Sequence, residues 1–413
     1  MTDTEILRTL SRRRFLHGAA ALAVAHSVAG TAQVRVSTPR RTKLLAYVGT
    51  YTGAAGGGSN GEGIYLFEMD QSAGELKLRG LATKTRNPSW IAIHPSRKFL
   101  YTVNEISDYK GNFGSASAFA VNAANGELRA LNTVSSEGAG PAYLSTDYKG
   151  RFAFVANYGG GSIAVLPILA DGSLGPSVGV HSDVGFVGPT RAVDRPSGSF
   201  AISGHNAPHA HMVAPDPQSR FVLATDLGQD RIYSYRLDIE TGELIPSSLQ
   251  PFTALPAGDG PRHFVFHPNG RWLYSIQEEA STVVFFLYNA ATGMLTPEQT
   301  ISTLAPNFAG TSFASEVLVA PNGRYLYAAN RLRDAITSFA IGMDGRLTHI
   351  GETSTMGDYP SQCRIDPSGC FLYACNRRSD SISCFRLHPR TGLPVFTGQF
   401  IPVGSPACIT FLA

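Results

Sequence analysis

Asn87-Pro88-Ser89-Trp90-Ile91-Ala92-Ile93-His94-Pro95, closed by Leu100-Tyr101, opens a unit that the chain repeats. The unit reads Pro, a short apolar strand, a turn with Pro or Gly, then an aromatic strand ending in Asn or a charged residue. Further copies start at Gly140-Pro141, Ala207-Pro208, Gly260-Pro261, Phe313-Ala314 and Tyr359-Pro360. From anchor to anchor the spacings are 53, 67, 53, 53 and 46 residues. A period near 50 with short strands marks the blades of a β-propeller, each blade a four-stranded sheet.

The two ends complete a seventh blade. Ser405-Pro406-Ala407-Cys408-Ile409-Thr410-Phe411 is a first strand with nothing after it. Leu44–Thr50 is a second strand with nothing before it, and Glu62–Glu68 and Glu75–Arg79 supply the third and fourth. The expected fold is therefore all-β, a seven-bladed β-propeller over 43–413. Its closing blade takes one C-terminal and three N-terminal strands, which removes the open edges of a linear array.

Composition agrees. Of 413 residues, 43% are hydrophobic and 16% charged, with a formal net charge of +3. No apolar run reaches a membrane span, and neither disorder nor nucleic-acid binding is favoured. Residues 1–32 read as an export signal: Ser11-Arg12-Arg13-Arg14-Phe15-Leu16 fits the twin-arginine pattern and an apolar stretch follows from Ala19 to Ala25. Residues 33–42 are then a linker, and the expected location is periplasmic or secreted. The five cysteines, Cys363, Cys370, Cys375, Cys384 and Cys408, lack a C-x-x-C spacing. They read as buried thiols, with one disulfide as the alternative.

The repeat also maps function. Because strands one and two of a blade are antiparallel, the start of one and the finish of the other share an end of the channel. The columns there hold Glu105, Asn157, Asp226, His209, Arg262, His263, Glu278, Glu316, Arg331 and Arg377. Turn bonding accounts for asparagines at strand ends. Converging titratable groups at a concave mouth point instead to a ligand or catalytic site. His94, His267 and His388 precede prolines and are assigned to turns between strands one and two. His209 and His211 alternate by two, so both face one way on a strand. A metal pair is weighed there against one bonded and one channel-lining ring, and the expectation is no metal and no cofactor.

The step from Pro141 to Pro208 exceeds its neighbours by 14 residues. The excess falls in 175–207, a lid, a specificity loop or a surface excursion. Gly56–Gly58 are not followed by Gly-Lys-Ser/Thr, so a phosphate-cradling loop is not expected there. The chain has no Gly-x-Ser-x-Gly, so no covalent serine is indicated.

Tyr47-Val48-Gly49-Thr50-Tyr51-Thr52, Val103-Asn104-Glu105, Ala156-Asn157-Tyr158-Gly159-Gly160, Pro208-His209-Ala210-His211, Asp226–Asp230, Gly260-Pro261-Arg262-His263 and Phe266-His267-Pro268 resemble the bacterial lactonase family over 44–413. That family includes propeller-type 6-phosphogluconolactonases and fungal carboxymuconate cyclases. The resemblance implies chemistry on a lactone at one channel mouth. Where family members often carry Arg-Gln before Pro-His-x-His, this chain has Gly204-His205.

The expected reaction is hydrolysis of an anionic sugar-acid lactone by water. Arg262 and Arg331 are expected to bind the anionic group and polarise the carbonyl, and His209 or Glu278 to deprotonate the water. Glu316 orients these groups, while His211, His263, Asp226, Asn157, Glu105 and Arg377 contact substrate. The alternatives are a carboxymuconate cyclase-type isomerase and an exported binding propeller without catalysis. A monomer is expected, with no membrane or nucleic-acid partner in the mature form.

Overall fold

Each copy of the unit folds as one antiparallel sheet, inner strand first, four-stranded except in the third, where two short strands, Leu244–Pro246 and Phe252–Ala254, share the outer edge. In this computed structural model the described residues are 44–413, apart from 54–58, 194, 198, 202 and 203. The export motif and linker lie outside them. Blade 1 begins with Ile91–Ile93 and Phe99–Tyr109, blade 2 with Pro141–Thr146 and Phe152–Asn157, and blade 3 with Ala210–Pro215 and Phe221–Asp226. Blade 4 begins with Pro261–Phe266 and Trp272–Gln277, blade 5 with Phe313–Val319 and Tyr325–Arg331, and blade 6 with Pro360–Ile365 and Phe371–Asn376. Blade 7 orders Pro406–Leu412, Leu44–Thr50, Gly63–Met69 and Leu76–Lys84, so the chain ends share a sheet as expected.

Alternation explains the core. Side chains along a strand point to opposite faces, so a buried blade is apolar on both. Seven apolar clusters result, one at each junction between neighbouring blades. Phe67, Tyr373, Phe371 and Ile409 join blades 6 and 7, while Tyr47, Leu66, Leu100 and Phe119 join blades 7 and 1. The closing junctions are packed like the others, which is what a ring requires.

Polar latches recur at the same junctions. The second-strand tyrosines Tyr47, Tyr101, Tyr274, Tyr327 and Tyr373 each donate to the carbonyl of a turn glycine in the next blade, at 2.6–3.0 Å. Each such buried bond is worth about 1 kcal/mol. Phe154 and Leu223 hold this position in blades 2 and 3, so the junctions that follow them lack the latch.

His94 and His267 sit in turns between strands one and two, at the end opposite the polar mouth. Their Nε2 atoms lie 2.9 Å from Gly150 and Gly323 carbonyls of the next blade. His388 differs from expectation. It falls in the turn between strands three and four of blade 6, at the same end. The cysteines are free thiols; Cys370 is exposed and the other four are buried.

Candidate active site

The site is built by a fault repeated in the inner strands of blades 2 to 7; in blade 7 the pairing skips Ala407, between Pro406 and Cys408. The pairing register slips between Pro141 and Tyr143, Ala210 and Met212, Pro261 and His263, Ala314 and Glu316, and Pro360 and Gln362. A skipped residue forms a β-bulge, which re-aims its side chain. The bulge residues Ala142, His211, Arg262, Ser361 and Ala407, with Ser89 at the equivalent place, line one cavity.

A second ring comes from the residue one past the second-strand position that faces each anchor. Its N–H donates to the carbonyl preceding the blade's anchor, as from Glu105 to Asn87, Tyr158 to Gly140, Glu278 to Gly260 and Arg377 to Tyr359. Tyr51, Glu105, Tyr158, Glu278, Arg331 and Arg377 thereby face the same cavity, of about 170 Å³, with Trp90 and His263 completing its wall. Blade 3 alone contributes an apolar residue to this ring position, the buried Leu227.

Charge is organised around Glu278. Its Oε2 lies 3.1 Å from Nε of Arg262 and also receives Nη2 of Arg331. Arg331 is further fixed by Nε to the Phe313 carbonyl at 3.3 Å and Nη2 to the Ala314 carbonyl at 3.2 Å. Arg262 Nη1 donates to the Ser315 carbonyl. Its Nη2 has no partner among the described residues. Burial, then the Arg331 charge, lowers the Arg262 pKa. Guanidinium groups nevertheless stay charged in proteins. The trio carries one net positive charge.

Beside it, His263 Nδ1 lies 3.1 Å from Glu316 Oε1. Burial, followed by the Arg262 and Arg331 charges, holds His263 well below its ordinary pKa, so the ring is neutral. Burial raises Glu316 to about 7, with Arg262 opposing. The rings of Trp90 and Tyr143 flank His263 at 5.2 and 5.3 Å. His211 is 5.0 Å from His263, only 8% exposed, and its Nδ1 has no partner. Burial and the same arginines keep it neutral.

Glu105, His211, Arg262, His263, Glu278, Arg331 and Arg377 thus meet in one cavity, with Glu316 one side chain behind His263. Besides Glu316, three expected site residues do not line it. Asn157 ends its strand one position before the cavity ring. Its amide bonds the Ser136 carbonyl at 2.8 Å and Ser162 Oγ at 3.2 Å, inside the blade. Asp226 occupies the same position in blade 3, and its Oδ1 accepts the His209 and Gln229 N–H groups. His209 spends both ring nitrogens, Nδ1 on the Tyr158 carbonyl at 2.8 Å and Nε2 on Asn206 Oδ1 at 2.9 Å.

The reason is a two-residue offset in blade 3. Leu227 N–H donates to the His209 carbonyl, which makes His209 the counterpart of Gly260 and His211 the counterpart of Arg262. Pro208 stands outside the repeat, and Ala210 pairs with Asp226 as Pro261 pairs with Gln277. A sequence signal for this existed. Sixteen residues separate Pro141 from Asn157, Pro261 from Gln277 and Ala210 from Asp226, but eighteen separate Pro208 from Asp226. Tyr51, Tyr158, Ser89, Trp90 and Ser361 were readable from the same columns and were not singled out.

The longer connection between blades 2 and 3 is fastened away from its origin. Ser199–Phe200 pairs in parallel with Gly310–Thr311, ahead of the inner strand of blade 5. His205 is buried, with Nε2 3.1 Å from Asp230 Oδ1 and Nδ1 against Glu279. Asp230 also accepts the Gly258 and Gly260 N–H groups at 2.7 and 2.9 Å.

A propeller whose channel mouth combines an arginine–glutamate cluster with a neutral histidine–glutamate pair has the equipment of a hydrolase acting on an ester-like carbonyl. The profile described as "Lactonase, 7-bladed beta-propeller" matches residues 45–411, and the chain belongs to this family of lactone hydrolases. It is 32% identical over 372 residues to the 6-phosphogluconolactonase of Bacillus subtilis, covering 90% of this chain and 99% of that one. It is 30% identical over 299 residues to that of Serratia proteamaculans, covering 72% and 78%. The periplasmic gluconolactonase structure of Pseudomonas aeruginosa superposes with a TM-score of 0.78 at 30% identity, covering 90% of this chain and 99% of that one.

Proposed function

We infer that the protein hydrolyses a sugar-acid lactone in the cavity at its channel mouth. The observation that carries this reading is the Arg262–Glu278–Arg331 cluster standing beside the His263–Glu316 pair on one wall. The lactone carbonyl oxygen sits at the free edge of Arg262, where charge develops as the carbonyl is attacked. Guanidinium donors already in place stabilise that oxyanion. Glu278 holds Arg262 in position and leaves the cluster one positive charge for it.

His263 is the base in this reading, in place of His209. With Nδ1–H donated to the Glu316 carboxylate, Nε2 presents a lone pair and accepts the proton of a water. The water oxygen bonds to the carbonyl carbon, the ring C–O bond breaks, and the same proton passes to the departing alkoxide. His211, which lines the cavity beside His263, is available to a substrate hydroxyl or the ring oxygen. Glu278 does not serve as base here, since both guanidinium groups are drawn to it.

The test is turnover of a panel by the purified protein: 6-phosphogluconolactone, gluconolactone and a carboxymuconolactone, with Arg262→Ala as control. Ring-opened acid formed by wild type and lost in the variant is the expected result. Equal rates in both proteins would remove the assignment, and a lactone formed without net hydrolysis would mark the cycloisomerase instead.

The twin-arginine motif, together with the likeness to a periplasmic gluconolactonase, supports an exported protein. Recovery in the periplasmic or extracellular fraction, shifted to the cytoplasm by Arg12→Lys/Arg13→Lys, is the expected outcome.

A further inference from the structure

Three guanidinium groups border the cavity, and they differ in what balances them. Arg262 and Arg331 share Glu278. Arg377, on blade 6, has no ion pair and no side-chain hydrogen bond among the described residues. Its guanidinium carbon lies 3.7 Å over the centre of the Tyr51 ring, on blade 7. Tyr51 is itself fixed, since its hydroxyl donates to Glu105 Oε2 of blade 1 at 2.9 Å. Glu105 is thereby engaged with the phenol; burial, the largest influence on it, raises its pKa against the opposing pull of Ser89, Tyr51, Arg377 and Arg262.

A guanidinium stacked on a ring keeps its N–H edge open while losing rotational freedom. Such an edge matches a carboxylate or phosphate in a bidentate pair. Beside the reacting centre on blades 4 and 5, the wall of blades 6, 7 and 1 therefore offers a guanidinium without an ion pair on a rigid platform. The lining holds three arginines against two glutamates.

We propose that Arg377, stacked on Tyr51, is the specificity residue for a second, anionic group on the lactone. This rests on the lactonase reading only for the placement of the carbonyl at Arg262. The anionic group assigned to Arg262 and Arg331 from the sequence moves to the wall of blades 6 and 7. A phosphate ester and a carboxylate share the required chemistry.

The experiment compares wild type with Arg377→Met and Arg377→Lys. Calorimetry measures binding of 6-phosphogluconate, glucarate and gluconate, which are unreactive, and kinetics measures kcat/KM for a phosphorylated and a neutral lactone. Wild type is expected to bind at least one of the two more highly charged acids about tenfold or more tightly than gluconate. Arg377→Met brings that ratio, and the ratio of kcat/KM values, to near one through KM, and Arg377→Lys restores part of it. A ratio unchanged in Arg377→Met overturns the proposal, even if lactones are turned over. A ratio lost in binding, with no lactone turned over by wild type, keeps the anion subsite and removes the lactonase reading. Phosphate and carboxylate arms identify which oxyanion the subsite takes.

Discussion

Glu278 and Glu279 follow one another after the second strand of blade 4, and they belong to two different ionic clusters. Glu278 faces the cavity and gathers Arg262 and Arg331. Glu279 faces away and, with Asp230, encloses His205. The first cluster keeps a net positive charge and one guanidinium edge free. The second has a side chain sealed from solvent, with both His205 nitrogens occupied and Asp230 saturated by the Gly258 and Gly260 amides. An open, unbalanced cluster suits a site that meets a ligand. A closed one fastens chain segments, here the blade 2–3 connection to blades 3 and 4. Burial of charge alone does not separate a site from a strut; the spare valence does.

The sharpest way to break this contrast is to empty the closed cluster. His205→Gln leaves Asp230 and Glu279 buried without their cation. Removing one member of a buried ionic group costs about 3–5 kcal/mol. We expect that loss in denaturant unfolding, with kcat at 20 °C within about threefold of wild type. The cluster also predicts a pH dependence. Burial opposes the charge on His205, but bonds to Asp230 and Glu279 outweigh it and raise the ring to about 9. An unfolded histidine titrates near 6.5. The folded state therefore holds the proton more tightly, and this stabilisation is full below pH 6.5 and lost as pH rises through 9. Glu279, raised to about 7 by burial against the opposing pull of His205, adds a fall of the same sign between its unfolded pKa and 7. Thermal midpoints from pH 5 to 10 should fall in wild type; in His205→Gln the histidine's share of that fall disappears, while the share of Glu279, freed from the opposing cation, remains.

Arg262→Ala is the mirror experiment. Glu278 retains Arg331, so no buried charge is orphaned and the fold should hold. Deleting one preorganised oxyanion donor typically costs about 10²–10³ in kcat. That loss of rate without loss of stability, set against His205→Gln, would assign the two clusters to separate duties. Equal losses in both properties for both variants would merge them.

The fold was legible because a 50-residue period, Pro anchors and aromatic second strands recur however much the loops vary. Much of the site was legible for the same reason, since repeated topology turns equivalent positions into one ring. Glu105, Glu278, Arg331 and Arg377 follow from position alone. Two things resisted. Blade 3 substitutes Ala210 for the anchor proline, and Pro208 two residues earlier captured the alignment, which carried His209 into the place of His211. The closed cluster could not be read at all. His205, Asp230 and Glu279 come together only through the path of the long connection, and nothing local at any of the three announces a partner. Likewise the sequence places Arg262 and Arg331 at the mouth, but only the bulge geometry brings both onto Glu278.

The smallest effect concerns the pair behind the reacting centre. Glu316 does not line the cavity, so its part is to position His263 through Nδ1. That requires the carboxylate, which can accept the Nδ1–H bond; the neutral acid would compete to donate. Burial raises Glu316 to about 7, so it gains its charge within the working range. His263 is held far lower by burial and the arginines, and does not titrate there. The kcat/KM of the lactonase should therefore rise with pH through about 7 on a single ionisation. Glu316→Gln should remove that rise and lower the plateau by about tenfold, the order expected for losing an orienting partner. A limb that persists unchanged in Glu316→Gln would belong to another group and would detach Glu316 from His263. A limb abolished in both Glu316→Gln and His205→Gln would mean that the two clusters communicate through the Glu278–Glu279 turn, and the division between open site and closed strut would then fail at the residue pair that suggested it.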